Sequence, residues 1–151
     1  MGSRSKQAAR KFWETTPIIM KAMMSQSRQS EHNIAPVQFR ILRMLATADC
    51  NLSELADRQG VSLPSISATA HTLVERGWLS RSRSLKDRRV VNLTVTDNGR
   101  RILKAEYERL LDWTADRLAP LSDEELQAVE EGMDALHRIF EVEQPEATSA
   151  L

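Results

Sequence analysis

The residues of this chain best suited to chemistry are cations. Arg81, Arg83, Lys86, Arg88 and Arg89 fall within residues 81–89, with Asp87 the single acid among them. A row of guanidinium and ammonium groups on a charged, flexible segment suits phosphate oxygens, and Arg is also favoured electrostatically in a narrow minor groove of duplex DNA. A second set, Ser65, Ser67, Ala68, His71, Thr72 and Glu75, lies opposite Ile66, Ala70, Leu73 and Val74 along residues 62–76. That is the pattern of a helix with one apolar face and one small polar face. An outer face of such short side chains fits a groove about 12 Å wide.

Catalytic constellations are missing from the sequence. It holds no Gly-rich phosphate loop, no HExxH, no G-x-S-x-G and no Cys/His pair at ligand spacing, and His32, His71 and His137 stand far apart. No enzyme activity, cofactor or metal is expected. The single cysteine, Cys50, rules out an internal disulfide framework and a cysteine-rich zinc site. No nearby base in the sequence supports a low thiol pKa there, so an inert thiol is expected rather than a redox sensor.

The elements that must position these groups are legible from periodicity and caps. Residues from about 5 to 30 read as helical through Phe12, Ile19, Met20, Met23 and Met24. Pro17 either opens a second helix at its first position or kinks one long helix. Ala35-Pro36 opens a helix running to about Thr47 on Val37, Ile41, Leu42 and Leu45, followed by a turn at Ala48-Asp49-Cys50. Asn51 with Glu54 forms a capping box before a short helix that buries Leu52, Leu55 and Ala56, and Gly60 ends it. Ser62 caps the next helix, which Gly77 stops. The period then changes: Leu79–Arg83 and Val90–Val95 are β-prone runs joined by SLKDRR, a hairpin. Thr96 caps a long helix to about Arg117 with Ile102, Leu103, Tyr107, Leu110, Leu111 and Trp113 apolar, and Pro120 breaks it. Ser122 with Glu125 caps a last helix carrying Leu126, Val129, Met133, Leu136, Ile139 and Phe140, ahead of a frayed tail at 144–151.

The order helix, short helix, sharp turn, helix, hairpin, with long helices on both sides, predicts a mainly α, α+β fold. It is a winged helix-turn-helix flanked by long dimerisation helices. Three divisions follow: an N-terminal helical part at 1–35, a DNA-binding lobe at 36–96 and C-terminal dimerisation helices at 97–151. Three segments, NLSELADRQGVS at 51–62, LVERGWLSRS at 73–82 and KDRRVVNLTVTDNGRR at 86–101, resemble the MarR family of transcriptional regulators. The last is the most specific, matching the family's Asp-x-Arg, strand, Thr-x-x-Gly pattern at Asp87, Arg89, Thr96 and Gly99. The resemblance covers roughly residues 10–141.

That resemblance implies a homodimer on double-stranded DNA carrying a palindromic operator, most simply a repressor released by a small anionic aromatic effector. Helix 62–76 would be the recognition helix, with Ser65, Ser67, Ala68, His71 and Thr72 at positions that contact bases and phosphates. Arg89 would enter the minor groove, Asp87 would hold it in place, and Arg81, Arg83, Lys86 and Arg88 would add phosphate contacts. Trp13, Met20, Met23, His32, Arg40 and Arg43 are the candidates for the effector site. An aromatic ring, flexible thioethers and a cation would suit such a ligand. The outer face departs from many relatives in carrying Ala68 and Thr72 where they carry arginine. Bidentate Arg–guanine contacts are therefore expected to be few, with reading resting more on Ser/Thr/His contacts, thymine-methyl packing on Ala68 and the wing, and specificity is expected to be modest. Two other functions stay open: a winged helix that docks protein rather than DNA, and a regulator switched through Cys50.

Charge supports a polyanion on one side only. Net charge is zero, but residues 1–96 carry fifteen bases against seven acids (+8) and residues 97–151 six against fourteen (−8). No apolar run approaches the roughly 20 residues that span a bilayer. The polar, basic start of the chain shows no apolar core of a secretion signal. A cytoplasmic protein without a membrane partner is expected.

Overall fold

In a computed structural model the described residues are 3–47, 50–83 and 90–141. They form six helices and three short strands. The elements are α1 (Ser3–Ser27), α2 (Pro36–Thr47), β1 (Cys50–Asn51), α3 (Leu52–Gln59), α4 (Leu63–Glu75), β2 (Leu79–Arg83), β3 (Val91–Val95), α5 (Asp97–Leu118) and α6 (Asp123–Glu141). The chain divides into two compact units, Met1–Val37 and Gln38–Leu151.

The first unit is dominated by α1, which runs unbroken through Pro17. Pro17 brings no N–H to the carbonyl four residues back and would ordinarily kink or break a helix. Beside it, the Thr16 hydroxyl donates to the Phe12 carbonyl at 2.7 Å. After α1 the chain tightens through Asn33, whose φ of 47° lies in the left-handed region that Asn tolerates best after Gly. The Ser27 hydroxyl ties this turn back by donating to the Ile34 carbonyl.

In the second unit, local hydrogen bonds set the helix limits. Asn51 accepts from the Glu54 N–H while the Glu54 carboxylate accepts from the Asn51 N–H, a complete capping box at 2.9 and 3.0 Å. Gly60, at φ 62°, closes α3 in a left-handed turn, its N–H reaching back to the last carbonyls. Ser62 caps α4, and Ser122 with Glu125 forms a second capping box before α6.

The strands form one antiparallel sheet in the order β1-β3-β2. Leu79 pairs with Val95 and Arg83 with Val91 across the β2–β3 hairpin, and Cys50 pairs with Leu93 on the other edge of β3. Cys50 therefore belongs to a strand, not to the turn expected of it. A two-residue strand has no period to read, and it exists only because β3 offers it a partner. The hairpin is correspondingly part of a three-stranded sheet.

α3 packs on α4 and against β1 and β3, α4 against β2, and α5 against β3. Leu55, Ile66, Ala70, Leu73, Leu79, Leu93, Val95 and Leu103 are all buried, as are Ile41, Leu42 and Leu45 of α2. Burying aliphatic side chains of this size stabilises by about 1.5–3 kcal/mol each. Leu52 and Val74, expected inside, are half-buried. One charge enters the core: Glu106, 3% exposed, accepts two hydrogen bonds from the Arg109 guanidinium at 2.7 and 3.2 Å.

The base of the wing is locked to α5 by the Thr-x-x-Gly segment. The Thr96 hydroxyl accepts from the Gly99 N–H at 3.0 Å and donates to the Gly77 carbonyl at 2.6 Å. The Thr96 N–H donates to the Trp78 carbonyl at 3.1 Å. That same carbonyl lies so close over the first turn of α5 that a Cβ at position 99 would collide with it. Gly99 is required by this approach. Trp78 itself is buried, with the Arg76 guanidinium 4.8 Å from its ring centre.

Candidate nucleic-acid interface

α3, the left-handed Gly60 turn and α4 form a helix-turn-helix whose second helix turns one face outward. Ile66, Ala70 and Leu73 anchor α4 to the core. Successive residues advance about 100° around a helix. Pro64, Ala68, His71 and Glu75 therefore lie directly opposite that anchor, and all four are exposed. Ser65 is exposed on the flank, while Ser67 and Thr72 are half-buried.

Of the five α4 residues expected to face DNA, Ser65, Ala68 and His71 are thus fully presented and Ser67 and Thr72 partly so. Several of their polar groups are already engaged. The Ser65 hydroxyl lies 2.9 Å from that of Ser62. The Thr72 hydroxyl donates to the Ala68 carbonyl at 3.2 Å, and the Thr69 hydroxyl to the Ser65 carbonyl at 3.0 Å. His71 Nε2 sits 3.3 Å from a Glu75 carboxylate oxygen, an i,i+4 pair with both side chains largely exposed.

β2 packs beside α4 and carries Arg81 and Arg83, both exposed. The register brings Arg81 opposite Leu93 and Arg83 opposite Val91. Both positions therefore lie on the wing strand that packs beside α4. Lys86, Asp87, Arg88 and Arg89 lie outside the described residues.

Of the apolar part of this surface, sequence reasoning singled out Ala68 alone. Val61 in the turn and Leu63 at the start of α4 are 39% and 46% exposed. Pro64 and Ala68 are the apolar residues of the outer face itself, with Val61 preceding it in the turn, whereas the advance of about 100° per residue puts Leu63 on the flank nearer the Ile66–Ala70 anchor. The i,i+4 spacing of Pro64 and Ala68 is the signal in the sequence.

The remaining candidates lie elsewhere. In the first unit, Trp13, Met20 and Met23 are exposed on α1, with His32 half-buried in the turn beyond it. In the second unit, Arg40 and Arg43 are exposed on α2. Cys50, outside any disulfide, is buried on β1 at 5% exposure. Among the described residues no group of three or more His, Cys, Asp or Glu side chains could hold a metal ion. No described helix is long and apolar enough to cross a membrane.

Residues 34–91, which include the helix-turn-helix and most of the wing, match the MarR family model. The chain is also 33% identical over 105 residues to the HTH-type transcriptional regulator YfiV of Bacillus subtilis, a match spanning 69% of this chain and 66% of that protein. The chain belongs to the MarR family. TcaR of Staphylococcus aureus, an HTH-type transcriptional regulator, is 28% identical over 80% of this chain and 82% of its own length. The fold is shared with FabT of Streptococcus pneumoniae, solved in complex with DNA, which superposes with a TM-score of 0.70 at 20% identity. That superposition covers 93% of this chain and 99% of FabT. The fold is the expected one, mainly α with a small winged sheet.

Proposed function

We propose that this MarR-family protein is a DNA-binding transcriptional regulator that occupies a palindromic operator as a homodimer. The observation that carries the proposal is the outward face of α4 lying beside the exposed Arg81 and Arg83 of β2. A helix narrow enough for a major groove is flanked there by cations placed for phosphates. Two copies related by a dyad would present their α4 helices to grooves about 34 Å apart on one side of the duplex. Ser65, Ser67, Ala68, His71 and Thr72 would face base edges and phosphates. Lys86 and Arg88 would join Arg81 and Arg83 on the backbone, and Arg89, steadied by Asp87, would reach the minor groove. The DNA complex of FabT and the regulator descriptions of YfiV and TcaR support the same function.

Homodimerisation is supported by apolar side chains left exposed near both ends of the chain. They include Trp13, Ile18 and Met20 of α1, at 72%, 68% and 52%, and Met133, Ile139 and Phe140 of α6, at 55%, 64% and 57%. Exposed apolar surface on this scale marks an interaction site. Regulation is proposed to be repression by occupancy, relieved by a small anionic aromatic compound, for which Trp13, Met20, Met23 and His32 of the first unit and Arg40 and Arg43 of the second are the candidate residues. Such a compound acts only if it binds the DNA-competent and released geometries with different affinity.

The test is fluorescence anisotropy against a duplex selected from a random pool, titrated at two salt concentrations. An inverted repeat with affinity falling steeply as salt rises is expected. No enrichment and no salt-dependent binding refutes the proposal. One observation favours a protein-docking winged helix instead: α4 carries neither Lys nor Arg. An Arg89→Ala variant separates the two, because docking would survive it and operator binding would fall.

A further inference from the structure

The N-terminal half of the recognition helix points deepest at base edges in this fold class. Its hydroxyl donors are partly engaged: Ser62 and Ser65 share a bond, and Thr69 and Thr72 donate to carbonyls of their own helix, each oxygen keeping lone pairs that can still accept. Ser67 is half-buried on the flank, and His71 and Glu75 are drawn together farther along. Beside these groups the exposed surface is apolar: Val61 in the turn, then Pro64 and Ala68. In the major groove only one apolar group distinguishes a base pair, the 5-methyl of thymine.

We propose that α4 reads its operator chiefly through thymine 5-methyl groups, which pack against Val61, Pro64 and Ala68. The inference rests on the DNA-binding function proposed above and names its specificity. A duplex is favoured over a protein as occupant of this apolar patch by its surroundings. Arg81 and Arg83 stand on the strand packed against α4. The helix N-terminus adds partial positive charge at the same end, and the only acid of α4 is Glu75 in its last turn. The patch thus sits in a positive surround that a polyanion complements. The operator half-sites are expected to hold thymines at the positions facing these three residues, and guanine to be little selected there.

The experiment compares the selected operator with the same duplex bearing deoxyuridine for every thymidine. This removes the methyls and leaves the pairing edges intact. Burying one methyl is worth about fourfold in affinity. With at least one contacted thymine in each of two half-sites, full substitution should weaken binding by about tenfold or more. Single substitutions should localise the loss to one or two positions per half-site, about fourfold each. A Val61→Ala variant, changed at an exposed position, should bind the thymine operator more weakly and show a smaller uracil penalty. If the uracil duplex binds within about twofold of the thymine duplex while salt-dependent binding persists, the methyl readout is wrong and DNA binding stands. If no duplex binds in a salt-dependent way, both fall.

Discussion

Replacing Gly99 with alanine tests how the wing is attached to the body of the protein. Gly99 lies in the first turn of α5, where helix propensity alone favours alanine by up to about 1 kcal/mol. The tertiary surroundings oppose it. A Cβ there would run into the Trp78 carbonyl oxygen and come within 2.9 Å of Val95 Cγ1 and 3.0 Å of the Trp78 carbonyl carbon. The obstructing atoms are mostly backbone, and that backbone is held by the Thr96 N–H at 3.1 Å, so it cannot swing aside as a side-chain tip would. Overpacking of this kind costs about 1–3 kcal/mol, and more where the neighbours are rigid. The net expectation for Gly99→Ala is a loss of about 2 kcal/mol. At this chain length that is roughly 4–8 °C in Tm, measured by thermal and urea unfolding at fixed protein concentration. Gly132→Ala is the control, since Gly132 lies within α6 and a Cβ there meets nothing within 4 Å. It should gain up to about 1 kcal/mol. Because Trp78 leads directly into β2, the relaxation in Gly99→Ala should also displace Arg81 and Arg83 and weaken operator binding. A Gly99→Ala protein as stable as the parent, with an unchanged urea slope, would refute the close approach as the reason for glycine.

Thr96→Ala removes both hydroxyl bonds that tie α5 to the Gly77 turn. It should cost about 1–2 kcal/mol by urea unfolding, in the range measured for lost N-caps. Gly60→Ala forces a Cβ into φ 62° and should destabilise by about 1 kcal/mol with no steric clash to relieve. Arg81→Ala and Arg83→Ala should each weaken binding about equally on all duplexes and lower the salt slope by about 1, as loss of one phosphate contact does. Cys50→Ser should leave any response to peroxide unaltered, because the thiol is buried on β1 and an oxidant has little access to it.

Much of this molecule is written in short-range chemistry. Asn51 with Glu54, Ser62, Thr96 and Ser122 with Glu125 announce helix starts because a cap closes over three residues and needs nothing from afar. Gly60 and Gly77 announce stops because φ values of 62° and 70° strain any residue bearing a Cβ. The outward face of α4 and the cations of the wing follow from periods of 3.6 and 2. Other features depend on contacts between distant residues, and no local pattern encodes those. β1 exists only because Cys50 finds Leu93, forty-three positions on. Whether Pro17 divides α1 was open in the sequence, since the proline costs only a local bond and the rest of the helix decides whether to continue across it. Gly99 reads as a motif position, but the reason for it is the Trp78 carbonyl, brought over α5 by the turn at Gly77.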